Sequence, residues 1–183
     1  MIKEKIPTLY KGSGPGTHWH DNNARDGGFM PAANRPHTIN AVVNHIVNYS
    51  HPSPYVSLTA SFAVARQYAL SGPGGTASEK NPGYVYEIDL SACKAELHIF
   101  NPIEEISKIG LAHEHNGDQG LILGVASSIH GAVLNTPVLL AGGQKVIPNA
   151  SVILRALVNA LRDAEVLIGA VPASCIVHRL SVS

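Results

Sequence analysis

Charge is what this sequence has least of. Asp, Glu, Lys and Arg make up 14% of 183 residues, against about a quarter in ordinary globular domains. The 13 basic and 13 acidic residues cancel. A binder that lives by neutralising phosphates needs a basic excess, so a histone-like or polybasic nucleic-acid protein is excluded. A nucleic-acid substrate is not. So sparsely charged a surface predicts covered area, against a partner protein or a neighbouring domain. Cysteine is scarce too: Cys93 and Cys175 are too few for a disulfide framework. They read as two buried thiols, with a single bridge left open. No apolar run is long enough to cross a membrane. The longest, Gly120 to Gly143, is interrupted by His130, Asn135 and Pro137, and reads as helix, turn and strand. The segment Met1 to Pro7 is charged and lacks the apolar stretch of a signal peptide. The expectation is a soluble protein with no membrane partner, cytoplasmic or delivered into a target cell.

What is present is enough apolar material to fold. Hydrophobic residues make up 45% of the chain, which excludes disorder over most of it. The length suits one domain, or two very small ones; with no linker or internal repeat to divide it, the expectation is a single domain over 1–183. The ten histidines would make the protein strongly cationic at low pH.

The elements alternate irregularly. Pro7 to Gly12 predicts a short strand. Ser13 to Asn34 is loop-like, punctuated by glycine and asparagine. Pro36, with Asn34 as cap, predicts the start of a helix whose stripe is Ile39, Val42, Val43, Ile46 and Val47. Tyr55 to Thr59 predicts a strand. Ser61 predicts the cap of a second helix ending near Leu70, with Phe62, Ala65 and Ala69 on one face. Ser71 to Pro82 predicts a flexible loop, and its span from Ser71 to Asn81 is a candidate lid. Gly83 to Leu90 and His98 to Pro102 predict strands. Residues 121–129 predict a helix and 137–141 a strand. Ser151 predicts the cap of a further helix, and Glu165 to Ile168 and Ile176 to Val182 the last strands. The class is α+β, because the order lacks a regular strand–helix–strand repeat.

Three short pieces carry the chemistry. Leu9-Tyr10-Lys11-Gly12 puts a cation and a glycine at the end of the first strand. Tyr55 to Phe62 puts Ser57 and Thr59 on one side of a strand, by the period of two, just before a helix. Asp163-Ala164-Glu165-Val166-Leu167 puts two carboxylates two residues apart on entry to a strand. Each piece alone has an ordinary surface explanation; their joint occurrence in this order is far more specific.

Together these pieces resemble the ADP-ribosyltransferase fold family, in the branch with an Arg, Ser-x-Ser/Thr and Glu-x-Glu or Gln-x-Glu signature. Pro54 to Ala69 looks like that family's central strand and following helix. Arg25 to Phe29 is similar to a segment of pierisin-like members. Gly83 to Leu90 looks like the strand after the mobile loop, and Glu165 to Val171 like the strand bearing the last glutamate. The resemblance spreads over residues 6–182, with no matching motif between Ser91 and Ser151. It implies a split β-sheet core flanked by helices, with NAD as substrate, no metal, and a macromolecular acceptor, protein or nucleic acid, that the sequence does not name.

Residue by residue, the resemblance gives Lys11 the place of an arginine that holds NAD phosphate or ribose. It gives Gly12 the backbone grip on the nicotinamide amide. Ser57 would orient the glutamate and Thr59 would support the same wall. Glu165 would bind a ribose hydroxyl and stabilise the cationic sugar as nicotinamide leaves, which is electrostatic catalysis of a glycosidic cleavage. Asp163 would face the acceptor. Phe62 reads as core, with contact to the nicotinamide edge as the alternative. Two positions depart from the pattern. Lys11 is a point charge without the two-pronged grip of arginine, and Asp163 is shorter than Glu or Gln.

Two histidine-rich stretches have the ligand types of a metal site: His18-Trp19-His20, and His113, Glu114, His115 and Asp118. Neither spaces a third imidazole or a cysteine to close a tetrahedron. Trp19 reads as core packing, with ring stacking on a ligand as the alternative. The leading expectation is a mono-ADP-ribosyltransferase, of a size that suits a toxin or effector domain. The alternatives are an NAD glycohydrolase, a catalytically degenerate binding module of the same fold and, last, a metal-dependent hydrolase.

Overall fold

The computed structural model describes residues 8–48, 52–94, 97–106 and 150–183. The helix expected at 121–129, the strand expected at 137–141 and the knot from His113 to Asp118 lie outside them. The chain divides into two compact units. Met1–Pro31, Tyr55–Ile99 and Val166–Ser183 form the first, and Ala32–Pro54 and Phe100–Glu165 the second. The architecture is mixed α/β, with helices and a mostly antiparallel sheet, in which the first strand pairs antiparallel with two neighbouring strands.

The first unit is built on that sheet. Its strands are β1 (Thr8–Ser13), β2 (Val56–Thr59), β5 (Gly83–Asp89), β7 (Glu165–Ile168) and β8 (Ile176–Val182), with the two-residue β6 (Ile99–Phe100) at an edge; the terminal residues Glu165 and Phe100 are counted in the second unit. Their order is β6-β7-β2-β1-β5-β8. β1 and β5 pair from Thr8↔Asp89 to Ser13↔Tyr84. β5 and β8 pair from Gly83↔Val182 to Ile88↔Ile176, with a bulge at Glu87 and Ile88.

The alternation of the strands sorts the core into two layers. On one face Leu9, Val56, Leu58, Tyr86, Ile88 and Ile168 pack with Phe29, Val171 and Ile176. On the other, Val85 packs with Ala65 and Ala69 of α4 (Phe62–Ala69), joined by Tyr10 and Val182. Ser61 caps α4 as expected, its hydroxyl accepting from the Val64 amide. Two glycines let α4 lie directly on the strands. A Cβ at Gly12 would sit 1.9 Å from the Ala65 carbonyl oxygen, and one at Gly83 would sit 1.7 Å from that of Ala69.

Several local expectations change. The stretch from Ser13 to Asn34 is not all loop: it holds two single-turn helices, α1 (His18–Asp21) and α2 (Ala24–Gly27). Asn23 caps the second, accepting from the Arg25 amide. Ser71 to Pro82 is not an open loop either. β3 (Ser71–Gly72) and β4 (Gly75–Thr76) pair as a short hairpin, and the Gly74 amide bonds the Pro15 carbonyl at 2.8 Å. Backbone bonding between glycine-rich segments, invisible to periodicity, makes the difference. β5 ends at Asp89, whose carboxylate caps a 3-10 turn over Leu90–Ala92.

Cys93 and Cys175 are joined in a disulfide, with Cα atoms 4.7 Å apart across a separation of 82 residues. This corrects the reading of two buried thiols. Each cysteine follows or closes a 3-10 turn in the first unit, and only the sheet brings those turns together.

The second unit rests on α3 (Ile39–Val47) packed against α5 (Ala150–Arg162). Val42, Val43 and Ile46 are buried on α3, and Ala156, Leu157 and Ala160 on α5. α3 starts later than Pro36 suggests. Thr38, not Asn34, is its cap, with Oγ1 accepting from the Ala41 amide at 3.1 Å. α5 starts at Ala150, one residue before the expected cap Ser151. Residues 102–106 form a helical turn, and the His37 and Phe100 rings stack at 5.0 Å.

Candidate functional site

In the first unit, β1 and β2 lie side by side with Tyr10 opposite Thr59. That register decides where the expected site residues point. Leu9 and Leu58 belong to one core layer and Tyr10 to the other. By alternation Lys11 shares the face of Leu9, while Ser57 and Thr59 share the face of Tyr10 and Gly12. Lys11 is nonetheless brought to Ser57. Its ammonium donates to the Ser57 carbonyl oxygen at 3.0 Å and stands 5.9 Å from the centroid of the Phe29 ring. The contact is with the backbone of Ser57, not its hydroxyl.

Thr59 is buried, and its Oγ1 accepts from the Ser61 amide at 3.0 Å. This bond ties the end of β2 to the cap of α4. Gly12 meets the α4 backbone closely enough to explain a glycine there by packing alone. Phe62 is not core: it is 40% exposed and meets Tyr10 edge-on at 5.5 Å. Trp19 packs edge-on against Phe29 at 5.1 Å, beside the core.

Asp163 and Glu165 belong to the second unit. The Arg162 guanidinium grips Asp163 with two parallel bonds of 2.7 Å, Nε to Oδ1 and Nη2 to Oδ2. The turn between α5 and β7 places Ala164 in the left-handed region, at φ 45°. It is the lone non-glycine residue there among those described. Glu165 heads β7 with a side chain only 6% exposed. Its carboxylate is thus sealed further from solvent than a strand-end position suggests.

The sequence gives no hint of the partner of Glu165. His45 sits in the last turn of α3, 15% exposed, with Nε2 at 3.9 Å from Glu165 Oε1. The other ring nitrogen of His45, Nδ1, is hydrogen-bonded to Ser53 Oγ. Ser53 stands between Pro52 and Pro54 in the segment that follows the helix, and its carbonyl accepts from the Ala33 amide at 3.1 Å. Arg35, Thr38, Asn40, Asn44, His45 and Ser53 are among the residues lining a cleft of about 270 Å³ within this unit. Sequence reasoning missed His45 and Ser53 because His45 is a polar residue in a helix read only for its apolar stripe and Ser53 falls in a proline-rich turn. Neither pattern has a catalytic spacing.

Among the described residues no group of three or more His, Cys, Asp or Glu could hold a metal ion, and no helix is long and apolar enough to cross a membrane. No protein-family model and no curated protein matches the chain.

Proposed function

We propose that this chain is a mono-ADP-ribosyltransferase of the split-sheet type, moving ADP-ribose from NAD to a macromolecular acceptor. The observation that carries the reading is the meeting of β1 and β2. There Lys11 and Ser57, 46 residues apart, are joined at 3.0 Å. The cation meant to hold a pyrophosphate or ribose thus reaches the backbone of the strand that carries the hydroxyl pair, from the opposite face.

The local build supports the same reading. Ser57 and Thr59 share one face of β2, and the strand runs within two residues into a capped helix. The lysine ammonium binds NAD as a point charge rather than a fork. The resemblance, not a measured distance, gives Glu165 the role of the carboxylate that meets positive charge as the bond between ribose and nicotinamide breaks. A carboxylate with little exposure acts more strongly on that charge than one in water, because less solvent screens it.

The test is NAD-dependent release of nicotinamide by the purified chain. Release is expected, and Glu165→Ala is expected to slow it by about a thousandfold, the scale for removing one preorganised electrostatic group. Lys11→Arg keeps or raises NAD affinity. No release from the folded chain, or full turnover by Glu165→Ala, overturns the proposal. Label on an added protein or nucleic acid identifies a transferase; free ADP-ribose alone identifies the glycohydrolase.

A further inference from the structure

We propose that Ser53 is a nucleophile activated by His45, with Glu165 holding the imidazole, and that the adjoining cleft takes a small ester bearing an anionic group. The three residues stand in the order hydroxyl, imidazole, carboxylate. Ser53 Oγ bonds Nδ1 of His45, and Nε2 of the same ring faces Glu165 Oε1 at 3.9 Å. A base bonded to a hydroxyl and oriented by a third group is the general signature of an activated nucleophile. Here the two ring nitrogens exchange the roles they hold in the serine-protease triad, which is recognised by geometry and not by chain order. The gap to Glu165 is longer than a hydrogen bond, as unliganded catalytic contacts often are.

A place for a substrate adjoins this relay. Both Ser53 and His45 line the cleft of about 270 Å³, which also has Arg35, Asn40 and Asn44 on its walls. Proline residues 36, 52 and 54 supply apolar wall. The volume suits a small molecule rather than a polymer, and the Arg35 guanidinium selects a carboxylate or phosphate on it.

The reaction balances as ester hydrolysis. Ser53 Oγ attacks the ester carbonyl carbon, and its proton passes to His45 Nδ1. The resulting imidazolium is stabilised by the Glu165 carboxylate. The carbon–oxygen bond to the alcohol breaks, and the departing alkoxide takes the proton from His45. Water then attacks the acyl group on Ser53 with His45 again as base, releasing the acid and restoring the serine. Glu165 is therefore used here as the partner of His45, a role separate from the one the resemblance assigns it.

The test labels the full-length chain with a fluorophosphonate probe and maps the modified peptide. No NAD is present, so the result does not depend on the transferase reading. Labelling of Ser53 is expected, and His45→Gln is expected to slow it by roughly a hundredfold or more, the scale of general-base assistance. Ser53→Ala is expected to remove the label while keeping the wild-type circular dichroism spectrum. A folded wild-type protein that takes no label, a label on another residue, or an unchanged rate in His45→Gln overturns the proposal.

Discussion

The two units treat buried polar groups differently. In the first, Tyr86, Ser13 and Thr17 are tied to the backbone or to each other. The Tyr86 ring is fully buried, and its hydroxyl donates to the Trp19 carbonyl at 2.7 Å while accepting from the Ala24 amide at 3.4 Å. Ser13 and Thr17 share a hydroxyl–hydroxyl bond of 2.7 Å, and Thr17 also donates to the Gly14 carbonyl. In the second unit, Ser53, His45 and Glu165 face each other side chain to side chain, and a cleft adjoins two of them. A polar group satisfied by backbone fixes a fold. One facing another titratable group beside a cavity is placed for chemistry. The contrast teaches where to look in a chain whose charge content is low.

Variants in the first unit should report as losses of stability. The largest expected loss is in the disulfide. Cys175→Ser opens a loop of 82 residues and should cost about 4 kcal/mol. Denaturant melts of that variant, compared with the oxidised wild type, check this; an unchanged midpoint would break the picture of a cross-linked scaffold. Next comes Gly12→Ala. Its Cβ would collide with the Ala65 carbonyl oxygen and with Tyr68 Cβ, so α4 must move, at about 3 kcal/mol. Nicotinamide release by whatever fraction stays folded then separates the packing role of Gly12 from the cofactor role that the resemblance gives it.

A smaller effect belongs to Tyr86. Tyr86→Phe leaves the Trp19 carbonyl and the Ala24 amide without a phenol partner, costing about 1–2 kcal/mol. The same residue sets a pH dependence. Burial pushes the phenol above its ordinary 10.0, against the opposing pull of the Ala24 amide and the Arg179 charge. A phenol whose pKa is raised by folding gives stability that is complete below pH 10 and lost as pH climbs through the higher folded value. Alkaline melts should therefore show a decline that Tyr86→Phe lacks; equal declines would remove Tyr86 as the cause. The smallest effect is expected at the edge of the second unit. Ala164→Gly relieves a left-handed alanine and should raise stability by up to about 1 kcal/mol, read from the thermal midpoint.

Much of the fold was legible. The strands at Gly83–Asp89, Glu165–Ile168 and Ile176–Val182 announce themselves through alternation, and α3 through its stripe of Val42, Val43 and Ile46. These are local periodicities, fixed by how a strand or a helix presents successive side chains. The single-turn helices at His18–Asp21 and Ala24–Gly27 were not legible, because four residues are too few to show a period. Of the candidate site, the hydroxyl pair on β2 was readable, but not that Lys11 meets the Ser57 carbonyl rather than its hydroxyl. A one-residue change of register would have reversed the faces.

By itself the sequence determined which residues could form strands, helices and caps, and which side chains could do chemistry. Tertiary structure alone decided that Cys93 meets Cys175, that Gly12 is needed by a helix lying against it, and that His45 lies between Ser53 and Glu165. Those facts join residues from 8 to 120 positions apart. No local period encodes such a meeting, which comes only from burying the faces that the periods define.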